Sequence, residues 1–373
     1  MVLPMIKVLF FIETLEGGGA EKVLRDLVNH MDLSKFDITV RTVWPCDASK
    51  LLKSGIRYSA FYPSQSRINR MRYRAEAETG LAYRLHIKDT YDIECAYLEM
   101  GSTKVMSAST NKTAKKLAWI HCDLKRIVSD PKALAEKTAP WYEKFDRVIC
   151  VSSGVRASFV ELFGNRTPST VLHNVIDDYD IRKKSEMPLP EGMAHRKLTM
   201  TAVGRFSRPK NYLRLLRTHE RLLREGIDHE LWLVGDGEER QKIVRFVQEH
   251  GLESSVIMPG FLNNPYPCIR EADVVASSSS YEGYSTFLTE GIILGKPIVT
   301  TEVFGVRELL GDSTFGLITD NDDESFFLGV RAMLTDGALR AKYSEKARNR
   351  SLSFKAERLV KSTEDFFFEL MGE

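Results

Sequence analysis

The sequence predicts an α/β protein built from two parallel-sheet domains, and three observations lead there. Short continuous apolar runs alternate along the chain with longer segments of helical spacing, as in strands buried on both faces and linked by covering helices. The alternation lapses once, over residues 177–197, and then restarts. A length of 373 residues exceeds one comfortable core and suits two domains of ordinary size.

The first domain is expected over residues 1–176. Residues 6–12 (IKVLFFI) form its opening strand, glycines 17–19 break it, and residues 20–31 follow as a helix spaced through Val23, Leu24, Leu27 and Val28. Further strands are expected at 38–43, 93–97, 117–120 and 148–151, with helices over 68–87 and 133–143. Residues 177–197 are charged, contain Pro188 and Pro190, and read as the linker. The second domain, residues 198–354, repeats the pattern: strands at 198–203, 231–234, 256–259, 274–277 and 298–300, with helices over 212–225 and 238–250. A terminal amphipathic helix, 355–373, carries Phe366, Phe367 and Phe368; three consecutive aromatics call for burial, expected against the first domain.

Composition narrows the class. Hydrophobic residues at 43% and charged residues at 28% describe a globular chain and exclude a disordered or collagen-like one. The five cysteines are scattered singly, which fits a reducing compartment and offers no metal framework. Neither a secretory leader nor a membrane span is expected, so the chain should be cytoplasmic or peripheral on the cytoplasmic membrane face. The net charge of +2 conceals an asymmetry, +7 over residues 1–176 and −5 over the remainder. A basic first half with clusters at Arg67, Arg70, Arg72 and Arg74, and at Lys112, Lys115, Lys116, Lys125 and Arg126, could meet anionic lipid. No nucleic-acid partner is expected.

Candidate chemistry gathers where strands give way to helices. Gly17-Gly18-Gly19 opens the first helix, where small residues and free amides admit an anion; the spacing is too compressed for a dinucleotide fingerprint. In the second domain, Gly204-Arg205-Phe206-Ser207-Arg208-Pro209-Lys210 follows a strand directly, and a guanidinium beside an ammonium suits a diphosphate. Val234-Gly235-Asp236-Gly237 closes the next strand in a tight turn. The densest segment runs from Glu282-Gly283-Tyr284-Ser285-Thr286 to Glu290: a carboxylate in the loop, a hydroxyl able to cap the helix that follows, and a second carboxylate within it. Amides flanked by two carboxylates fit a phosphate that carries sugar hydroxyls. Asp322-Asp323 lies in a polar turn, away from any strand end, so no metal is expected.

These motifs resemble the retaining glycosyltransferases of family 4. The resemblance rests on Glu282 and Glu290 with seven residues between them, on Gly204-Arg205 with Lys210, and on Gly18-Gly19-Ala20-Glu21. Trp119-Ile120-His121 and residues 171–177 (VLHNVID) match two further blocks. It implies the GT-B fold, two Rossmann-like domains facing a central cleft. It further implies that Arg205 and Lys210 grip the donor diphosphate, Glu290 holds the ribose, and Glu282 contacts the transferred sugar. Amides of Gly283, Tyr284, Ser285 and Thr286 would touch the distal phosphate, Gly18 and Gly19 would close on the phosphates, and His121 would stand near the reacting sugar. The implied enzyme is metal-independent and takes a UDP-sugar, or less favourably a GDP-sugar, to a glycan or lipid-linked acceptor. Two departures stand out: Asn211 where the family commonly has Gly, and the hydroxyl-rich Tyr284-Ser285-Thr286. The competing readings are a catalytically silent subunit that stabilises a partner transferase, a GT-B epimerase or phosphorylase, and a nicotinamide dehydrogenase. Retention of Arg205, Lys210, Glu282 and Glu290 argues against the first. Missing acid–base carboxylates and a missing pyridoxal lysine argue against the second, and the lack of a dinucleotide fingerprint against the third.

Overall fold

The structure, a computed structural model, describes residues 5–372. Residues 1–4 of the expected first domain, and Glu373 of the expected terminal helix, lie outside these. The chain divides into two units, one running to Ile176 and resuming at Ala356, the other spanning Asp177–Lys355.

The first unit comprises β1 (Ile6–Phe11), α1 (Gly19–His30), β2 (Phe36–Thr42), β3 (Arg57–Ala60), α2 (Arg67–Glu78), α3 (Leu81–His86), β4 (Ile93–Ala96), α4 (Gly101–Met106), β5 (Lys115–Ile120), α5 (Pro131–Tyr142), β6 (Arg147–Cys150), α6 (Ser153–Phe163) and β7 (Ser169–Val171). Its sheet is parallel, in the order β3-β2-β1-β4-β5-β6-β7. Val8, Leu9, Phe10 and Phe11 are fully buried, as a central strand covered on both faces requires. Two differences from the sequence reading have physical causes. The helical stretch over 68–87 is two helices, because Gly80 adopts φ +71° between them. The edge strands β3 and β7 are too short and too polar to announce themselves.

The second unit comprises α7 (Asp178–Ser185), β8 (Thr199–Val203), α8 (Tyr212–Arg224), β9 (Glu230–Val234), α9 (Arg240–Glu249), β10 (Val256–Gly260), α10 (Tyr266–Glu271), β11 (Val274–Ser277), α11 (Thr286–Ile293), β12 (Ile298–Thr301), α12 (Val306–Leu310), β13 (Leu317–Thr319), α13 (Asp323–Thr335) and α14 (Gly337–Ser351). The sheet is again parallel, ordered β10-β9-β8-β11-β12-β13. The expected linker is corrected here: its first half is α7, capped by Asp177 and packed on α10 and α11. Ile181 is its one buried apolar residue, so no periodicity was visible. Asp322-Asp323 is likewise no free turn. Asp322 caps α13, and Asp323 pairs with Arg214 and Arg217.

The terminal helix α15 (Ala356–Met371) returns to the first unit. Phe367 is fully buried between Phe10 and Phe36, at ring distances of 6.3 and 6.1 Å, and Glu364 accepts the backbone N–H of Asp32. The consecutive aromatics therefore belong to a core.

Candidate active site

In the second unit β8 and β11 are neighbours, yet β9 continues to one side and β12 to the other. Such a switch point leaves a crevice at the carboxyl ends of the two strands. The turn after β8 delivers Arg205 and Lys210 there, and the turn after β11 delivers Glu282.

Backbone geometry dictates the first turn. Gly204 has φ +154°, and its bare Cα lies under the Tyr212 hydroxyl and the Lys210 stem, which a Cβ would approach at 3.2 and 3.6 Å. Phe206 is fully buried and binds the neighbouring turn: its N–H donates to Asp236 O at 2.8 Å, and its carbonyl accepts from Glu239 N–H at 2.8 Å. Gly235 and Gly237 permit this, since a Cβ on either would strike the backbone of Gly204 or Phe206. Asn211 adopts φ +48°, ψ +49°. Glycine takes that conformation most readily and Asn tolerates it among L-residues, so the departure at this position preserves the turn.

Lys210 Nζ donates to Glu282 Oε1 at 2.6 Å, and Ser279 Oγ donates to the same oxygen at 2.7 Å. Ser278 Oγ donates to the Lys210 and Asn211 carbonyls, and Ser280 N–H donates to Pro209 O, stitching the two turns together. Arg205 is exposed on its turn. Ser285 spends its hydroxyl as the N-cap of α11, accepting from Leu288 N–H at 3.4 Å, and Thr286 begins the helix. Gly283 and Tyr284 are buried, and Gly305 (φ +74°) packs against the Gly283 carbonyl. Glu290 is only 7% exposed and accepts from the Tyr266 hydroxyl at 3.5 Å.

The first unit has its own switch point, between β1 and β4. Gly18 is the N-cap of α1 and Gly19 its first residue, but the Glu21 carboxylate folds back over Gly18. The helix thus supplies an anion to its own N-terminus. His121 follows β5, and its backbone N–H donates to Glu99 Oε2 at 2.9 Å. Its Nε2 is closed off from solvent without a hydrogen bond, and burial lowers the imidazole pKa.

Residues 184–350 match the family described as glycosyl transferases group 1. The matched residues span most of the second unit. A Campylobacter jejuni N-acetylgalactosaminyltransferase, named for its action on N-acetylgalactosamine-N,N'-diacetylbacillosaminyl-diphospho-undecaprenol, is 28% identical over 99% of this chain and 100% of its own. Among solved structures, Anabaena Alr3699/HepE in complex with UDP and glucose superposes with a TM-score of 0.77 at 18% identity, over 97% of this chain and 99% of that one. Sucrose-phosphate synthase from Thermosynechococcus elongatus gives 0.78 at 17% identity, over 98% and 99%. These likenesses show the GT-B fold.

The structure also supplies residues that sequence reasoning missed. Arg214, 8% exposed, donates to Asp323 and Asn321, and Asn321 in turn donates to the Ser279, Ser280 and Glu302 carbonyls. Together they fix the end of β11, yet a lone arginine in a helix and a lone asparagine in a loop give no signal. Of the four serines 277–280 at this strand end, three bind through their hydroxyls within the site.

Proposed function

We propose that this glycosyltransferase, as a family 4 enzyme, moves a sugar with retention of configuration from a UDP-sugar, preferred over a GDP-sugar, to a hydroxyl of a lipid-linked or polysaccharide acceptor. Such a reaction belongs to surface-glycan synthesis. The observation carrying this reading is the meeting of Lys210, Glu282 and Ser279 at the β8/β11 switch point. Arg205 and Lys210 receive the donor diphosphate and offset the charge that grows on it, so no metal cofactor is needed. Amides of residues 283–286 seat the distal phosphate, Glu282 accepts from hydroxyls of the transferred sugar, and Glu290 accepts from the ribose. Of the first unit's residues, Gly18 and Gly19 are assigned to phosphate and His121 to the reacting sugar. The bond from the anomeric carbon to the diphosphate breaks, and a bond to the acceptor oxygen forms on the same face. The acceptor proton passes to the departing phosphate oxygen.

Two findings support the choice of substrates: the name of the Campylobacter relative, and the UDP and glucose held by the Anabaena neighbour. Among the described residues no helix is long and apolar enough to cross a membrane. We place the enzyme on the cytoplasmic membrane face through α2. There Ile68 and Met71 are 76% and 62% exposed, flanked by exposed Arg67, Arg70 and Arg74, a combination suited to an anionic interface. Of the other basic residues, Lys125 pairs with Glu161, and Lys115 and Lys116 lie in β5.

The test is transfer from a UDP-sugar to a polyprenyl-diphosphate-linked glycan, with the product anomer read by NMR and the rate measured with and without EDTA. A product keeping the donor's anomeric configuration at an EDTA-insensitive rate is expected. Inversion, or loss of activity in EDTA, would contradict the reading.

A further inference from the structure

At the first unit's switch point stands a carboxylate that none of the motifs includes. Glu13 follows β1 by one residue beyond Ile12, and its Oε1 accepts from the Tyr73 hydroxyl at 2.9 Å. The carboxylate lies flat against Gly101: a Cβ there would stand 2.6 Å from both Cδ and Oε2. Met100, just before, holds φ +66° and ψ −100°, a strained conformation for a residue with a side chain. Tyr73 is wedged by the rings of Trp44 and Tyr62 at 5.8 and 6.4 Å. Tyr73, itself held between two rings, and the bare Cα of Gly101 thus fix the direction of one carboxylate.

A second observation points to a ligand. Ser102 Oγ, next to Gly101, and His121 Nε2, at the end of β5, the strand beyond β4, are both buried without a hydrogen-bond partner. Orphaned polar atoms are uncommon, and such a pair at the carboxyl end of the sheet that carries the oriented carboxylate suits a molecule rich in hydroxyls.

We propose that Glu13 reads the acceptor: its carboxylate, aimed by Tyr73 and Gly101, accepts a hydrogen bond from a hydroxyl of the acceptor sugar. The inference rests on the transferase reading and assigns this residue to acceptor choice. Glu13 contacts the substrate, whereas Tyr73 and Gly101 are positioning residues.

The experiment titrates the full chain, with UDP present, against methyl glycosides of N-acetylgalactosamine, N-acetylglucosamine, galactose and glucose by NMR, and titrates UDP alone by calorimetry. The variants are Glu13→Gln, Gly101→Ala and Tyr73→Phe. Gly101→Ala keeps the charge but displaces the carboxylate, and alanine is a better helix former, so its melting temperature should stay near that of the parent. Wild-type protein should bind at least one glycoside. Glu13→Gln and Gly101→Ala should each weaken that binding about tenfold, the loss typical of a hydrogen bond to a charged group, and leave UDP affinity unchanged. Tyr73→Phe should weaken it by a smaller factor, with no further loss in the Glu13→Gln background. A UDP-binding wild type that binds no glycoside, or whose glycoside affinity is the same in Glu13→Gln and Gly101→Ala, overturns the inference and leaves the donor site standing. A wild type that binds no UDP overturns the transferase reading itself.

Discussion

Lys210 Nζ stands 2.6 Å from Glu282 Oε1, so the cation proposed for the donor diphosphate and the carboxylate proposed for the donor sugar neutralise each other before substrate arrives. Both side chains are largely shielded, and Ser279 holds the same carboxylate oxygen. A diphosphate entering the site must share Lys210 with Glu282.

Competition for one ammonium gives opposite signs for two substitutions. Glu282→Gln should tighten UDP binding about threefold or more, because it removes a competing charge. It should also slow transfer, because a sugar contact is lost. Lys210→Ala should lower turnover by about a hundredfold or more with a smaller effect on UDP affinity, since leaving-group charge peaks in the transition state. Calorimetry beside steady-state rates separates the two.

Glu290 is buried and already accepts from Tyr266. Glu290→Ala should weaken UDP binding about tenfold or more, the scale of hydrogen bonds to a charged group. It should weaken inorganic diphosphate far less, since that ligand has no ribose. Equal losses for both ligands would move Glu290 away from the ribose.

A buried imidazole chain in the second unit makes its stability depend on pH. His219 Nδ1 lies 2.8 Å from His229 Nε2, His219 Nε2 lies 2.9 Å from Ser255 Oγ, and His229 Nδ1 lies 2.9 Å from the Ile227 carbonyl. One proton per imidazole satisfies the chain, and a second on either ring would place a charge in a buried site. Burial, then the neighbouring His229, pushes the His219 pKa down to about 3, and burial also lowers that of His229. The folded values lie below the unfolded ones. The stabilisation is therefore complete above about pH 6.5 and is lost as pH falls through the window toward pH 3, by at most about 1.4 kcal/mol per pH unit for each imidazole. Urea midpoints between pH 7 and 5.5 should fall with pH more steeply than in a His219→Gln, His229→Gln double variant, and equal profiles would contradict the neutral chain.

Phe367 ties the terminal helix to the first unit's core. Phe367→Ala should cost about 3–5 kcal/mol, as large aromatic truncations in cores do. A denaturation midpoint close to that of the parent would show that α15 is dispensable to the unit.

The strands that were legible in the sequence are those buried on both faces, such as β1 and β8, because a parallel sheet writes itself as an unbroken apolar run. The half-polar edges β3 and β7 wrote nothing comparable, and the edge β13 is only three residues long. In the site, glycines and charges after strands were legible because turn chemistry is local. The pairing of Lys210 with Glu282 was not, since it joins turns 72 residues apart and depends on strand order. Glu13 and Tyr73 were hidden for the same reason, brought together across 60 residues with no motif at either end.

The central claim is that Lys210 and Glu282 mark a nucleotide-diphosphate site that needs no metal. Calorimetric titration with UDP, GDP and ADP, with and without EDTA, on wild type and Glu282→Gln tests it most directly. UDP binding that is preferred over the others, indifferent to EDTA and tighter in Glu282→Gln is the predicted result. Binding that vanishes with EDTA, or that weakens in Glu282→Gln, would contradict it.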